Sequence, residues 1–177
     1  MINLEKYVWL FPIIFIFHDM EEIIGFGIWL KTNKQILYEK YPNILNTYRD
    51  FSTEGFSLAV FEELVLCIAF SAFAFLLDIQ TLWYLWLGGF IAYTLHFIIH
   101  IGQAIVMRKY IPATVTSIIC LPISLWILYK CVLMIKNDWW YVAIFIVLGI
   151  LVVAANLKFA QKMIGWFTRK MGLSSII

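Results

Sequence analysis

Five long apolar stretches dominate this chain of 177 residues. They cover approximately residues 7–30, 56–79, 82–107, 111–135 and 139–157. The hydrocarbon core of a bilayer is about 30 Å thick, and an α-helix needs about 20 mostly apolar residues to cross it. A helix also satisfies its own backbone hydrogen bonds in lipid. We therefore expect an all-α, polytopic membrane helix bundle of about five transmembrane helices, with residues 1–177 forming a single membrane domain.

The composition supports this expectation. Apolar residues make up 63% of the chain and charged residues 14%, whereas soluble domains have about 45–50% and about 25%. One small core cannot bury so much apolar surface, which excludes almost every soluble fold. A net charge of +2 does not indicate a nucleic-acid partner. Membrane lipid is the expected partner, and the oligomeric state is left open.

The basic residues predict an orientation. Cytoplasmic loops of membrane proteins carry an excess of lysine and arginine. With five spans, ten of the 13 basic residues share one side with the C-terminus, and only Lys6, Lys130 and Lys136 lie on the other. We therefore predict an external N-terminus and a cytoplasmic C-terminus. The tail, residues 158–177, mixes aromatic and basic side chains, which is typical of an amphipathic helix lying on the membrane.

Ionisable side chains interrupt the first three spans. Five of the eleven acids and all three histidines lie in the interior of these spans, away from their ends. They are His18, Asp19, Glu21, Glu22, Glu62, Glu63, His96 and His100. A charged side chain at the centre of a membrane helix costs about 2.5–3.5 kcal/mol on insertion scales. At about 1.5 Å per residue, these residues lie about 12–20 Å from the predicted cytoplasmic face. This common depth predicts one buried polar cluster.

The spacing of these residues indicates a metal site. His18 and Glu22, and likewise His96 and His100, are four residues apart and share a helix face. Imidazole and carboxylate groups are zinc ligands. We predict one or two divalent ions, zinc or iron, held by side chains of three helices. The predicted ligands are His18, Glu22, Glu62, Glu63, His96 and His100.

Two details of the predicted site concern side-chain direction. Glu62 and Glu63 are adjacent and point about 100° apart on a helix, so which of them ligates is left open. Asp19, Tyr93 and Gln103 are expected to hydrogen-bond and orient the ligands.

Three motifs together resemble a known family. The motifs His18-Asp19-Met20-Glu21-Glu22, Phe61-Glu62-Glu63-Leu64 and His96-x-x-x-His100 are similar to those of the HXXEE domain family, a group of small multi-span bacterial membrane proteins. The resemblance implies a location in the bacterial cell membrane and roles for His18, Glu21 and Glu22, but no particular reaction. The first motif also resembles the H-x-x-E-H motif of inverzincin peptidases. That analogy implies that Glu21 acts as the general base.

The leading functional hypothesis is an intramembrane metalloenzyme. It would be a metal-dependent hydrolase of a lipid or hydrophobic peptide that enters from the cytoplasmic leaflet, with a metal-activated water and Glu21 as the catalytic base. A di-iron lipid oxidase or hydroxylase is an alternative, since such sites combine carboxylate and histidine ligands on helices. A small proton or metal-ion transporter with a buried Glu/His relay is another. The third alternative is a polar network that only stabilises the packing of the helices.

Overall fold

The computed structural model describes residues 5–133 and 139–175. Within these two ranges all regular secondary structure is helical and no strand occurs, which confirms the predicted all-α class. The described helices are α1 (Glu5–Val8), α2 (Leu10–Lys40), α3 (Pro42–Thr47), α4 (Thr53–Leu77), α5 (Gln80–Met107), α6 (Thr114–Leu133) and α7 (Trp139–Lys170).

Four of the described helices, α4 to α7, are long and apolar enough to cross a membrane by length and composition. Helix α2 has 31 residues, but its apolar part, residues 10–30, contains three acids, Asp19, Glu21 and Glu22. Helix α2 can therefore cross a membrane only if other side chains hydrogen-bond to these acids or neutralise them. The count of five spans and the orientation stay predictions. Lys136, one of the three basic residues on the predicted external side, lies outside the described residues.

Helices α2 and α7 continue well past the predicted spans. They contain 31 and 32 residues, so each is about 46–48 Å long at about 1.5 Å per residue. The segment after residue 30 contains no glycine or proline before Pro42, so nothing in it stops α2 earlier. Residues 158–170 likewise continue α7 as one helix. Their position on a membrane surface stays a prediction.

Helix α5 occupies the centre of the bundle and packs against α4, α6 and α7. Its Trp86, Phe90 and Phe97 are fully buried. The tightest approach joins Gly88 of α5 to Gly149 of α7, where a Cβ atom on either glycine would lie less than 3.0 Å from the backbone of the other helix. Helix α2 packs against α4 and α6. This arrangement brings the polar residues of α2 against the two histidines of α5.

Candidate metal centre

Four of the six predicted ligands come together in the bundle. His18 and Glu22 project from α2, and His96 and His100 from α5. One ligand atom of each lies within 4.8 Å of those of the other three. The two side chains of each helix share a face because they are four residues apart. The cluster therefore forms where these two faces meet.

The distances within the cluster suit a metal ion. His100 Nε2 lies 3.0 Å from Glu22 Oε1 and 2.8 Å from His96 Nε2. The ring centroid of His18 lies 5.4 Å from those of both His96 and His100. Zinc binds at about 2.0–2.2 Å from nitrogen and oxygen, so its tetrahedral ligand atoms are about 3.3 Å apart. The two hydrogen-bonded distances would need to lengthen by about 0.3–0.5 Å. Ligand atoms that are up to 4.8 Å apart would need to approach by up to about 1.5 Å.

A hydrogen-bond network fixes the tautomer of His18. Thr116 Oγ1 on α6 lies 2.6 Å from Glu21 Oε2 and 3.0 Å from His18 Nδ1. A carboxylate only accepts, so the threonine hydroxyl donates to Glu21 and its oxygen accepts from the Nδ1–H group of His18. The Nε2 atom then carries the lone pair. Nε2 is buried and, among the described residues, has no hydrogen-bond partner, so it is the atom that His18 can offer to a metal.

The side chain of Glu21 faces α6 and stands outside the four-residue cluster. Its carboxylate accepts hydrogen bonds from the Tyr110 hydroxyl at 2.6 Å and from the backbone N–H groups of Thr116 at 2.7 Å and Val115 at 3.4 Å. Backbone donors in the first turn of a helix have no partner within the helix, and a negative charge there is stabilising. Glu21 therefore caps α6. Its predicted role as general base stays a prediction.

The two glutamates of α4 also lie apart from the cluster. Asn156 Nδ2 of α7 donates to Glu62 Oε2 at 3.3 Å and to Glu63 Oε1 at 3.4 Å. The four-residue cluster thus draws on two helices, whereas the sequence predicted ligands from three. Glu63 is nevertheless close enough to Glu22 for the two side chains to interact electrostatically.

The residues expected to orient the ligands lie around the cluster. The Tyr93 hydroxyl donates to Asp19 Oδ2 at 3.0 Å, and Asp19 is only 4% exposed. The Tyr93 ring stacks on His96 with centroids 5.8 Å apart and an interplanar angle of 19°. These contacts restrict the orientation of His96. Gln103 lies on α5 about one turn after His100 and lines the adjoining cavity.

A cavity of about 610 Å³ adjoins the cluster. Glu22, His96 and His100 line it together with Glu63, and most of the remaining lining is apolar. Its size falls within the range of about 300–1,000 Å³ that is usual for small-molecule sites. A metal ion at the cluster would therefore face a space that can hold a ligand.

Sequence reasoning missed two residues that support the site, Thr116 and Tyr110. Both contact Glu21 from the start of α6 or from the turn before it. Threonine shortly after a proline is typical of a helix N-terminus, and Pro112 precedes Thr114 and Thr116 here. That signal locates the helix start, but only the packing of α2 on α6 reveals what the hydroxyl group of Thr116 contacts.

Comparison with known proteins assigns the chain to a family. Residues 9–127 match a family described as proteins of unknown function with an HXXEE motif. The matched region contains all four cluster residues and covers more than half of the chain. No curated protein and no solved structure matches the chain. Because the match covers more than half of the chain, the chain belongs to the HXXEE family.

Proposed function

We propose that this protein is an intramembrane metal-dependent hydrolase that holds a divalent cation between α2 and α5. The observation that carries the proposal is the convergence of four ligand atoms within 4.8 Å of one another. Three imidazoles and one carboxylate form a donor set that suits zinc or iron. The His18 tautomer set by Thr116 adds support, because metal-bound histidines are usually oriented by a hydrogen bond at their other ring nitrogen.

The acidic residues near the cluster also favour a cation. Asp19, Glu22 and Glu63 all line the same cavity. Buried charges in proteins are paired or coordinate metals, because an isolated charge in an apolar medium is very costly. The described lysines and arginines lie elsewhere and none of them lines this cavity. A divalent cation would offset the carboxylates where no basic side chain does.

Hydrolysis is the reaction class that we assign to the site. A zinc ion held by three of the four donors, or by all four with a fifth position, would keep a place for a water molecule. It would activate that water for attack on a carbonyl or phosphoryl group. Two carboxylates are candidates for the base that accepts the proton of that water. Glu21 occupies the position in the motif that the general base has in inverzincin peptidases. Glu63 lines the cavity in which a substrate would lie. The apolar cavity walls support a lipid or a hydrophobic peptide as substrate.

Metal analysis of the purified protein tests the proposal. We expect about one zinc or iron ion per chain in the wild type, as for a single four-ligand site. His96→Ala should lose the ion because it removes a ligand. Glu54→Gln is the matched control, since Glu54 is exposed near the start of α4 and lies outside the cluster, so it should not affect metal content. A wild type without metal above background, or a fully loaded His96→Ala variant, would contradict the proposal.

The identity of the ion separates two reaction classes. Zinc has no redox chemistry and supports hydrolysis. Two irons per chain would instead support the di-iron oxidase alternative, in which Glu62 or Glu63 completes the ligand set. Loss of one of two ions in Glu63→Gln, with both retained in Glu54→Gln, would identify such a second ion.

A proton relay is a second candidate, favoured by one observation. Glu22, His100 and His96 form a continuous chain of contacts of 3.0 Å and 2.8 Å. Such a chain can pass a proton without a metal. Proton flux into liposomes, measured after chelator treatment, tests this candidate. Flux that disappears in His100→Ala would support the relay, and an absence of flux in the wild type would exclude it.

A further inference from the structure

The cavity beside the cluster is elongated along α5. Its lining on this helix runs from Leu85 and Gly89 to Met107, and the segment from Gly89 to Met107 is about 27 Å long at about 1.5 Å per residue. His96 lies seven residues after Gly89, and His100 lies seven residues before Met107. The candidate metal centre therefore lies near the middle of the cavity.

The two halves of the cavity differ in polarity. Between the cluster and Gly89, the walls are mostly apolar side chains such as Phe11, Phe15, Leu85 and Val152, and the polar lining there is the pair Asp19 and Tyr93. The Tyr93 hydroxyl in this region is already bonded to Asp19. The half nearer Met107 contains the polar side chains of Gln103, Asn156, Gln161 and Tyr48. A ligand that fills both halves must therefore be apolar at one end and polar at the other.

The Gly89 end is closed by tight packing. Gly149 lines the cavity and lies against the backbone of Gly88. The ring of Phe11 contacts the rings of Phe90 and Trp86, with centroids 5.3 Å and 6.1 Å apart. Trp86 and Phe90 have no exposed surface. This end therefore forms a floor that limits how far a ligand can extend.

We propose, as an extension that rests on the proposed function, that the substrate is a single-chain acyl amphiphile. Its acyl chain would occupy the half between the cluster and Gly89, and its polar headgroup the half lined by Gln103 and Gln161. The ester or amide carbonyl then lies at the metal centre. The water oxygen forms a bond to the acyl carbon, and the bond to the headgroup oxygen or nitrogen breaks. The departing alcohol or amine takes up a proton, and a fatty acid is the other product.

The shape of the cavity favours this substrate over a peptide. An α-helix is about 10–12 Å wide, too wide for a cavity of about 610 Å³ that extends so far along α5. An extended peptide would bring backbone N–H and C=O groups into the apolar half, where each unpaired group costs several kcal/mol. An acyl chain has no such groups. At about 30 Å³ per non-hydrogen atom, the volume of a water molecule in the liquid, the cavity holds about 20 atoms, which fits one acyl chain and a small headgroup.

The test shortens the cavity at its floor. A Cβ atom at Gly89 would lie 3.7 Å from Phe11 Cε1, an ordinary contact, so Gly89→Leu adds volume at the floor without a backbone clash. Gly102→Leu is the matched control on the same helix, because a Cβ atom there meets nothing within 4 Å and Gly102 does not line the cavity. The monoglycerides 1-butanoylglycerol and 1-decanoylglycerol serve as probes, because both are small enough for a cavity that holds about 20 non-hydrogen atoms. Their dissociation constants are measured on detergent-purified protein by native mass spectrometry.

We expect the wild type and Gly102→Leu to bind the decanoyl probe about tenfold or more tightly than the butanoyl probe, because each buried methylene adds affinity. Gly89→Leu should lose this preference. A wild-type preference that persists in Gly89→Leu, or no preference in the wild type, would overturn the inference. So would binding of a hydrophobic peptide in the absence of binding to either monoglyceride.

Metal content measured on the same samples separates the two proposals. A metal-loaded wild type that does not discriminate between chain lengths overturns the acyl substrate and leaves the metal site standing. Chain-length preference in a metal-free wild type overturns the proposed hydrolase and supports only the acyl-binding cavity. Metal retained in Gly89→Leu shows that this variant is folded.

Discussion

The Nδ1 atom of His18 on α2 lies 3.0 Å from the Oγ1 atom of Thr116 on α6, although 98 positions separate the two residues. The same hydroxyl group lies 2.6 Å from Glu21. Glu21 thus sets the tautomer of His18 through Thr116, a residue of another helix. Glu22, the second glutamate, contacts His100 in the cluster directly. The two adjacent acids therefore have different tasks because they project in different directions.

Replacing Thr116 by valine should weaken metal binding. Thr116→Val keeps the shape of the side chain but removes the acceptor for the Nδ1–H group of His18. Loss of such an orienting hydrogen bond typically costs about 10–100-fold in metal affinity. Competition with a chelator measures the change. The control is Thr114→Val, whose hydroxyl donates to the Ile111 carbonyl at 2.6 Å; equal affinities of the two variants would contradict the assigned tautomer.

Glu21→Gln should destabilise the protein through α6. The substitution removes a negative charge at the N-terminus of this helix and replaces an acceptor by a donor facing Thr116. The loss of a helix cap costs about 1 kcal/mol. Thermal unfolding in detergent measures the effect. Glu39→Gln, at an exposed position near the end of α2, serves as control, and an equally small effect of both variants would refute the capping role.

Tyr110 gives the protein a pH-dependent contact at alkaline pH. Partial burial, the hydrogen bond to Glu21 and the charge of Glu21 raise the pKa of Tyr110 to about 12, above the ordinary tyrosine value of about 10. The protonated phenol is the stabilised form, so its contribution is complete below about pH 10 and is lost as the pH rises through about 12. We expect the difference in unfolding temperature between wild type and Tyr110→Phe to shrink over this interval.

The control for this prediction is Tyr38→Phe, because the Tyr38 side chain is 75% exposed. Its difference from the wild type should not change with pH over the same interval. A Tyr110→Phe difference that stays constant up to pH 12 would show that Glu21 does not hold the phenol in its protonated form.

The contact between α5 and α7 should tolerate no side chain at Gly149. A Cβ atom there would lie less than 3.0 Å from the backbone of Gly88, so Gly149→Ala must push the helices apart. Overpacking of this kind costs about 1–3 kcal/mol. Gly102→Ala should instead raise the free energy of unfolding by up to about 1 kcal/mol, because alanine is the better helix former. Unfolding temperatures that change in the same direction would refute the close approach.

The pairing of the cluster residues within each helix was predictable because helix periodicity is local. His18 with Glu22, and His96 with His100, share a face in any α-helix, and their predicted common depth agrees with the meeting of the two faces. The direction of Glu21 was not predictable from this spacing. It depends on how α6 is placed beside α2, and that placement is determined by contacts between residues about 95 positions apart in the sequence.

The roles of Glu62 and Glu63 show the same limit. Their depth matches that of the cluster, yet both receive hydrogen bonds from Asn156 and neither joins the four ligands. The rotation of α4 about its own axis decides this, and it is set by packing on α2 and α7. The end of α2 at Lys40 was also missed, because a polar segment without glycine or proline can continue a helix beyond the apolar stretch.

The acids of α2 have a consequence for how the chain assembles. Each of them bonds to a residue that follows it in the sequence: Glu21 to Thr116, Glu22 to His100 and Asp19 to Tyr93. In lipid alone, charged side chains at the centre of a helix make insertion unfavourable by about 2.5–3.5 kcal/mol each. In a bilayer, α2 would therefore become stable only once α5 and α6, which follow it in the sequence, supply these partners. Glu22 thus belongs both to the candidate metal centre and to the set of polar contacts that hold α2 against its neighbouring helices.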